Sequence, residues 1–257
     1  MIDIQNQKDD RNIDIKKVGV KGIKYPLTVL DRAHGSQQVN ATINMYVNLP
    51  HHFKGTHMSR FVEILNEHRG EVSIKTLQTI LEKVRAKLRA ASAHMEIEFP
   101  YFIEKTAPVS GAKSLMEYLC RFSGKNGGGK TDIQVGVVVP VTTVCPCSKE
   151  ISSAGAHNQR SLVSVNVRFK KFFWIEDLIK TVENSASGEV YSLLKREDEK
   201  YVTEKGYANP MFVEDVVRSV ASNLNNIDNI TWFSVEAENY ESIHNHSAYA
   251  YVEKEAV

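Results

Sequence analysis

The stretch VNATINMYV, residues 39–47, alternates apolar and other side chains without a break. Five apolar residues share one face of the extended chain: Val39, Ala41, Ile43, Met45 and Val47. Side chains of a strand point alternately to opposite faces, so this pattern predicts a half-buried strand. This strand belongs to the first half of the chain, in which further elements are predicted on both sides of it.

Strands and helices are predicted on both sides of residues 39–47. Pro26 within the strand-like run 18–30 indicates an edge strand or a bulge. The strongest helical pattern covers 73–91, where apolar residues recur at helical spacing and Ser73 can cap the amino terminus. The predicted order is a strand at 18–30, the strand at 39–47, helices at 56–69 and 73–91, and strands at 94–105 and 114–123.

The second half repeats this order of elements. Asn209 is predicted to cap a helix, with Pro210 at its first position. The other predicted elements are strands at 133–141 and 161–170, a helix at 173–183, and strands at 230–240 and 247–254. Both halves therefore have the order ββααββ. Hairpin strands with helices grouped between them predict an α+β fold, with antiparallel sheets and helices on one face.

The predicted domain organisation follows from this repeat. Residues 1–16 show no periodicity and are expected to form a flexible arm. The first ββααββ module covers 17–123, a Gly-rich loop covers 124–130, and the second module covers 131–257.

Composition excludes several classes of protein. The chain has 257 residues, 25% of them charged, with 32 Lys and Arg against 31 Asp and Glu. A net charge of +1 argues against a protein that coats nucleic acid. The apolar run at 133–141 is too short to span a membrane, and the amino terminus lacks a secretory pattern. Three cysteines make no disulfide framework, so a soluble cytoplasmic protein with free thiols is expected.

The segment GKNGGGKT, residues 124–131, matches the phosphate-binding pattern GxxxxGK[ST]. That loop requires a helix after it, whose amino terminus holds the phosphates. The residues that follow, DIQVGVVV, are rich in β-branched side chains and indicate a strand. We therefore interpret the segment as a hairpin loop.

Two cysteines and three histidines occur in segments that follow predicted strands. Cys145 and Cys147 flank Pro146, and His157 follows within the same loop. His244 and His246, near the end of the chain, project to one side if that segment is extended. A Cys, two His and a carboxylate make a plausible catalytic metal site. The acidic ligand has four candidates: Glu197, Asp198, Glu199 and Glu204. The alternative is that the thiols fill the core, as we expect for Cys120.

Four separated motifs resemble the prokaryotic GTP cyclohydrolases of type IB. They are GTHMSRF at 55–61, VPVTTVCPCSKEIS at 139–152 with GAHNQR at 155–160, NPMFVED at 209–215, and ESIHNHSAY at 241–249. The resemblance covers about residues 16–254. It implies a tandem tunnelling fold that assembles as a homotetrameric barrel with active sites at subunit interfaces. The implied reaction converts GTP and water to 7,8-dihydroneopterin triphosphate and formate, the first step toward folate and related pterins.

The resemblance also assigns roles to individual residues. Four residues match the ligands of one divalent metal ion, which is zinc, manganese or iron: Cys145, His157, Glu199 and His244. Glu197 is the alternative acidic ligand, and Cys147 the alternative thiol. Glu214 matches the carboxylate that anchors the guanine, although an ion pair with Arg218 would explain it equally well. The candidate catalytic groups are Cys147, His246 and His157. The candidate contacts to the triphosphate are Arg60, Lys113 and Arg160.

Other functions remain open at this point. An archaeal-type cyclohydrolase has the same site but makes a cyclic phosphate. Other tunnelling-fold enzymes, such as pyruvoyl-tetrahydropterin synthases and nitrile reductases, share the fold. A metal-stabilised binding protein would show no turnover at all.

Overall fold

The computed structural model of the chain describes residues 5, 7, 9–68 and 72–254. These residues form nine strands and six helices, which confirms the predicted α+β class. In chain order the elements are β1 (Ile15–Asp31), β2 (Gly35–Leu49), α1 (Ser59–Glu67), α2 (Leu77–Lys87), β3 (Ser92–Thr106), β4 (Lys113–Gly127), β5 (Lys130–Val144), α3 (Pro146–Ile151), β6 (Asn158–Phe169), α4 (Ile175–Glu183), β7 (Gly188–Glu189), α5 (Arg196–Ala208), α6 (Val213–Asn225), β8 (Ile230–Tyr240) and β9 (Ala248–Glu253).

Some predicted boundaries fall outside the described residues. These are residues 1–4, 6 and 8 of the predicted arm, residue 69 of the first predicted helix, and residues 255–257 of the second predicted module. Within the described part, β1 already begins at Ile15, so it includes the last two residues of the predicted arm. The main-chain carbonyls of Gln5 and Gln7 accept hydrogen bonds from Gly55 and Lys54, both at 3.0 Å.

The chain forms two compact units that differ from the sequence-based modules. Unit 1 contains the residues up to Pro100 together with Arg121–Val135. Unit 2 contains Tyr101–Cys120 and the residues from Gly136 onward. Strands β3, β4 and β5 each contribute residues to both units.

Unit 1 is built on antiparallel strands in the order β1-β2-β3-β4-β5. The alternation that predicted β2 is confirmed, because Ile43 and Met45 are fully buried, and Ile43 lies opposite Ile97 of β3. Helices α1 and α2 bury the apolar stripe that includes Phe61 and Leu81. These buried side chains form the core of unit 1.

The apparent phosphate-binding loop is a β-hairpin, as predicted. Its turn, at Gly128 and Gly129, has φ angles of 61° and 77°, which glycine adopts at little cost. Gly124 serves packing instead, because a Cβ there would lie 2.7 Å from Leu81 Cδ1 of α2. The predicted loop at 124–130 is therefore shorter than expected, since β4 runs to Gly127 and β5 begins at Lys130.

Unit 2 pairs its strands in the order β3-β4-β5-β6-β8-β9, and β7 pairs with β5. The β6–β8 pair is antiparallel, with Val165 opposite Val235, and both side chains are fully buried. Helix α6 buries Val216 and Val220, as its predicted stripe requires. Helix α6 packs against β8 and β9, and the core of unit 2 lies along this contact.

Three sequence predictions about helices are wrong. Asn209 does not open a helix: it follows the last residue of α5, and α6 begins only at Val213. Helix α2 is shorter than 73–91, and Ser73 does not cap it, because its N-cap residue is Thr76. Helix α5 was not predicted, so the second half departs from the simple order ββααββ.

In the part of the chain that the structure describes, none of the helices is both long enough and apolar enough to cross a membrane.

Candidate metal and catalytic site

The first cysteine of the Cys-Pro-Cys segment is the N-cap residue of α3. β5 ends at Val144, and Pro146 occupies the first turn of the helix. The extended backbone of Cys145 lets its Sγ accept the backbone N–H of Ser148 at 3.3 Å. Cys145 is partly exposed and Cys147 is exposed. The fold therefore holds the Cys145 thiol against the amino terminus of a helix.

Val144, the residue before Cys145, is held by hydrogen bonds at both its main-chain N–H and its carbonyl. The N–H of Val144 donates to Ser187 Oγ at 3.2 Å. Its carbonyl accepts the N–H of Met211 at 3.0 Å, from the segment that leads into α6. The position of the Cys145–Cys147 segment, called here the thiol loop, thus depends on Ser187, which precedes α5, and on Met211, which lies between α5 and α6.

His157 lies beside Cys145 through the main chain. The N–H of Cys145 donates to the carbonyl of His157 at 3.1 Å, and the N–H of His157 donates to Ser148 Oγ at 3.2 Å. Ser148 therefore contacts both candidate ligands. Sequence analysis gave it no role, although its place three residues after the N-cap is a signal that could have indicated one.

The ring of His157 faces a carboxylate that sequence analysis also missed. His157 Nδ1 is 3.2 Å from Gln159 Oε1 and 3.7 Å from Glu241 Oε2. The side chains of His157 and Glu241 are only 15% and 13% exposed. The Gln159 amide oxygen is within hydrogen-bonding distance of Nδ1, so an N–H at Nδ1 would leave Nε2 for a ligand, and Glu241 is within ion-pair distance of the same ring.

Of the four acidic candidates, Asp198 is already fully engaged. Its carboxylate accepts the N–H groups of Val109, Ser110 and Lys195 and the hydroxyl of Ser110, at 2.6–2.9 Å. Burial acts to raise the pKa of Asp198, but these donors hold that pKa well below its usual value. Asp198 thus joins the start of α5 to the β3–β4 connection and is not free to bind a metal ion.

The remaining acidic candidates lie on the exposed side of α5. Glu197 and Glu199 flank Asp198 and are both exposed. Glu204 is 3.9 Å from Lys200 one turn away. Glu199, with Glu197 as the alternative, stays the predicted acidic ligand.

The two late histidines are close to each other, but not on a strand. His244 and His246 lie in the exposed turns that join β8 to β9. Their ring centroids are 5.0 Å apart, with 17° between the ring planes. The extended conformation that we considered is not adopted, yet the two imidazoles share one small surface.

The four predicted ligands are not assembled into one cluster. Within residues 5, 7, 9–68 and 72–254, no three His, Cys, Asp or Glu side chains are arranged to hold a metal ion. The structure brings Cys145 and His157 together, and leaves Glu199 and His244 on separate exposed segments. A thiolate, two imidazoles and a carboxylate nevertheless form a donor set suited to a divalent transition metal, so the chemistry of these residues fits such an ion.

Glu214, the predicted guanine anchor, lies in the first turn of α6 and is exposed. The ion pair with Arg218 that would explain it structurally is not formed. Arg218 lies instead 3.9 Å from Asp215, whose carboxylate accepts the N–H of Phe212 at the start of the helix.

The three predicted triphosphate contacts are spread over the two units. In unit 2, Lys113 pairs with Glu104 at 2.9 Å, and this hydrogen bond raises the pKa of the lysine. Arg160 is exposed on β6. Arg60 belongs to unit 1, where its Nη1 donates to the carbonyl of Lys87 at 3.3 Å. Lys113 and Glu104 are both exposed, so their ion pair is weak, and the predicted contact of Lys113 with the triphosphate stays a prediction.

The third cysteine belongs to the core, as predicted. Cys120 is completely buried on β4, and burial raises the pKa of its thiol. A buried polar cluster was not predicted: on β5, Thr143 Oγ1 lies 3.3 Å from Ser161 Oγ of β6 and accepts a hydrogen bond from Asn239 Nδ2 of β8 at 3.2 Å. Asn239 precedes Glu241 by two residues and Thr143 precedes Cys145 by two, so this cluster connects the strands that carry the site.

Comparison with solved structures defines the fold. Urate oxidase from Bacillus sp. TB-90 superposes with a TM-score of 0.55 at 8% identity, covering 93% of this chain and 99% of that chain. Uricase from Arthrobacter globiformis superposes with a TM-score of 0.50, also at 8% identity, covering 93% and 92%. The chain therefore has the tunnelling fold.

Sequence comparison defines the family. Residues 1–250 match the family model described as type I GTP cyclohydrolase FolE2. A protein named GTP cyclohydrolase FolE2 from Syntrophus aciditrophicus (strain SB) is 77% identical over 255 residues, which is 99% of this chain and 100% of that protein. The protein of the same name from Geotalea uraniireducens (strain Rf4) is 60% identical, covering 99% and 94%. This chain belongs to the type I GTP cyclohydrolase FolE2 family.

Proposed function

We propose that this protein is a GTP cyclohydrolase that converts GTP and water to 7,8-dihydroneopterin triphosphate and formate, the entry step to folate and related pterins. The observation that carries the proposal is 77% identity, over essentially the full length of both chains, to a protein named GTP cyclohydrolase FolE2. We place the chain in the prokaryotic type IB subclass and in the cytoplasm.

Four residues would hold one divalent ion: Cys145, His157, Glu199 and His244. The main-chain hydrogen bond between Cys145 and His157 supports this set, as does the position of Glu241 beside His157 Nδ1. Zinc, manganese and iron all suit the donor types. When bound, such an ion supplies Lewis-acid activation of water.

The other side chains bind the base and transfer protons. Glu214 accepts hydrogen bonds from the ring N–H and exocyclic amine of guanine, a pair of donors that one carboxylate can receive. Opening the imidazole ring of GTP and releasing formate require several proton transfers. His246 and Cys147 are free for this work if His244 and Cys145 are ligands. Gln159 accepts a hydrogen bond from His157 Nδ1, which leaves Nε2 of His157 for the metal ion.

We further propose that the protein is a homotetramer with active sites at subunit interfaces. The proposed ligands in unit 2 are not gathered into one cluster among the described residues, which supports a site that a neighbouring subunit completes. Sedimentation equilibrium measures the assembly directly, and a monomer that turns over GTP at full rate would contradict it.

Turnover of GTP by the purified protein tests the function. The protein is treated with a chelator, manganese, zinc or ferrous iron is added back, and formate and the fluorescence of the oxidised pterin are followed. We expect metal-dependent formation of both products. An intact triphosphate on the pterin separates this reaction from the one that yields a cyclic phosphate.

The negative results of this experiment are equally informative. No formate with any metal, from a folded protein, would contradict the cyclohydrolase proposal and favour a binding role. A matched variant, Arg85→Ala on helix α2 of unit 1, controls for handling losses, because Arg85 takes part in none of the proposed contacts.

A further inference from the structure

A basic cavity in unit 1 contains Arg60, a predicted triphosphate contact, together with residues to which no role has been given. It has a volume of about 390 Å³ and lies between the end of β2, the segment that leads into α1, and the end of α2. Its charged or titratable lining residues are His57, Arg60, Lys87 and Arg89. None of its lining residues is Asp or Glu.

The guanidinium groups of this cavity lack acidic partners. Lys87 is 3.0 Å from Glu63 and 3.1 Å from Glu67, so its charge is largely balanced. In the described part of the chain, neither Arg60 nor Arg89 pairs with a carboxylate. Two uncompensated guanidinium groups at one cavity favour an anion there.

The backbone of Arg89 is strained at this position. Its φ of +51° lies in the left-handed region, which glycine or asparagine usually fills just after a helix. Arg89 follows the C-cap residue Leu88, and its N–H donates to the carbonyl of Ala86 at 3.1 Å. Lys87 and Arg85 already supply cations to the last turn of α2, so the helix dipole alone does not require a third. An arginine in a glycine position indicates that its side chain is needed.

A second basic cavity adjoins the first at Asn48, which lines both. It has a volume of about 610 Å³, and Lys16, Lys17 and Lys125 line it together with His94. Burial, and then the charges of Lys17 and Lys125, lower the pKa of His94. This neighbour extends the positive potential around the first cavity.

We propose that the cavity formed by Arg60 and Arg89 binds a phosphate chain. Guanidinium groups bind phosphate oxygens in pairs, and the cavity is large enough for several phosphate groups. The ligand is either the triphosphate of GTP or a free polyphosphate. Assigning the chain to GTP rests on the proposed function, whereas the binding of phosphate itself does not.

Titration calorimetry with inorganic tripolyphosphate tests this proposal. The protein is titrated as purified and again with a chelator present, so that a divalent ion cannot bridge to the phosphate. The decisive variant is Arg89→Gly. It relieves the left-handed strain and should raise the Tm by about 2–4 °C, while weakening tripolyphosphate at least about tenfold. Loss of binding in a more stable protein cannot be attributed to misfolding.

Two matched controls accompany this variant. Arg85→Ala removes a cation from the same helix outside the cavity. Asn12→Gly relieves a φ of 57° elsewhere in unit 1 without changing charge. Both should bind tripolyphosphate like the unsubstituted protein, and Arg60→Ala should bind it weakly.

Each outcome decides a different point. Equal binding by the Arg89→Gly and Arg60→Ala variants and the unsubstituted protein, or no binding by any of them, overturns the proposal. Weaker binding together with a raised KM for GTP assigns the cavity to the substrate triphosphate. Weaker binding with an unchanged KM assigns it to a free polyphosphate. If tripolyphosphate binds as expected but GTP is never converted, the result supports phosphate binding in the cavity and contradicts the proposed function.

Discussion

Lys105 lies at the centre of a buried polar cluster in unit 2, and its removal should be costly. Its Nζ lies 2.7 Å from Glu183 Oε1, 2.8 Å from Glu189 Oε2 and 3.0 Å from the carbonyl of Val190. The hydroxyl of Tyr118 also donates to Glu183, at 2.6 Å. The side chain of Lys105 is 9% exposed. Replacing Lys105 by methionine keeps the volume but leaves two carboxylates without their buried cation.

The expected magnitude follows from this geometry. Removing one partner of a buried ion pair costs about 3–5 kcal/mol of unfolding free energy, because the remaining charge stays buried and unpaired. For a chain of this length, about 1 kcal/mol corresponds to a Tm change of about 2–4 °C. The Lys105→Met variant should therefore melt about 6–20 °C lower at pH 8. Tyr118→Phe, which removes only a hydrogen bond, should cost about 1 kcal/mol.

The pH dependence gives a sharper test. Burial acts to raise the pKa of Glu189, but the hydrogen bond and charge of Lys105 bring it below its ordinary value. That depressed pKa stabilises the native protein above the unfolded pKa of about 4.3 and is lost as the pH falls. In the Lys105→Met variant the same carboxyl has a raised pKa, so the variant gains stability on acidification. The stability difference should therefore shrink between pH 8 and pH 5.

Urea unfolding followed by circular dichroism at several pH values measures this difference. The double variant Lys105→Met with Glu183→Gln should recover part of the loss, because it removes one of the two stranded charges. A Lys105→Met variant that loses less than about 1 kcal/mol at every pH would refute the reasoning.

Three further predictions concern the site and the helix that carries its acidic candidate. Cys145→Ala should abolish both bound metal and turnover, whereas Cys147→Ala should keep the metal; elemental analysis of both variants would reverse the assignment if the pattern were opposite. Glu214→Gln should raise the KM for GTP at least about tenfold with little change in Tm, since the residue is exposed. Asp215→Ala, its control, should lower the Tm through the lost helix cap and leave KM unchanged. Asp198 has a lowered pKa, so its stabilisation is present above the unfolded pKa of about 3.9 and disappears in acid. Urea unfolding between pH 5 and pH 2 should show a weaker acid dependence for Asp198→Asn, and an unchanged slope would contradict the role of its hydrogen bonds.

Elements with a regular apolar pattern could be predicted from the sequence, and others could not. The alternation at 39–47 became β2 because one face of that strand is buried. Helix α5 was missed because it has no apolar stripe: its buried residues are Asp198 and Gly206. Asn209 and Pro210 carry a strong helix-start signal locally, yet α5 ends just before them and α6 begins three residues later.

Some contacts of the candidate site could likewise be predicted from the local sequence, and others could not. Cys145 and His157 are close in sequence, and the structure places them side by side through the loop that joins them. Glu241 faces His157 only because β6 and β8 are paired, a contact across about 80 residues that no local pattern indicates. The absence of an Arg218 pair with Glu214 also depends on side-chain geometry rather than on spacing. The metal ligands and catalytic roles remain predictions.

The hydrogen-bonded backbone around Val144 determines at which step the thiol loop loses its conformational entropy. Both of its main-chain groups are bonded, to Ser187 and Met211, and Cys145 is bonded to His157. The conformational entropy of this loop is therefore lost when the chain folds, before any ligand arrives. Binding at Cys145 then has little backbone left to order, and preorganisation of this kind is converted directly into affinity.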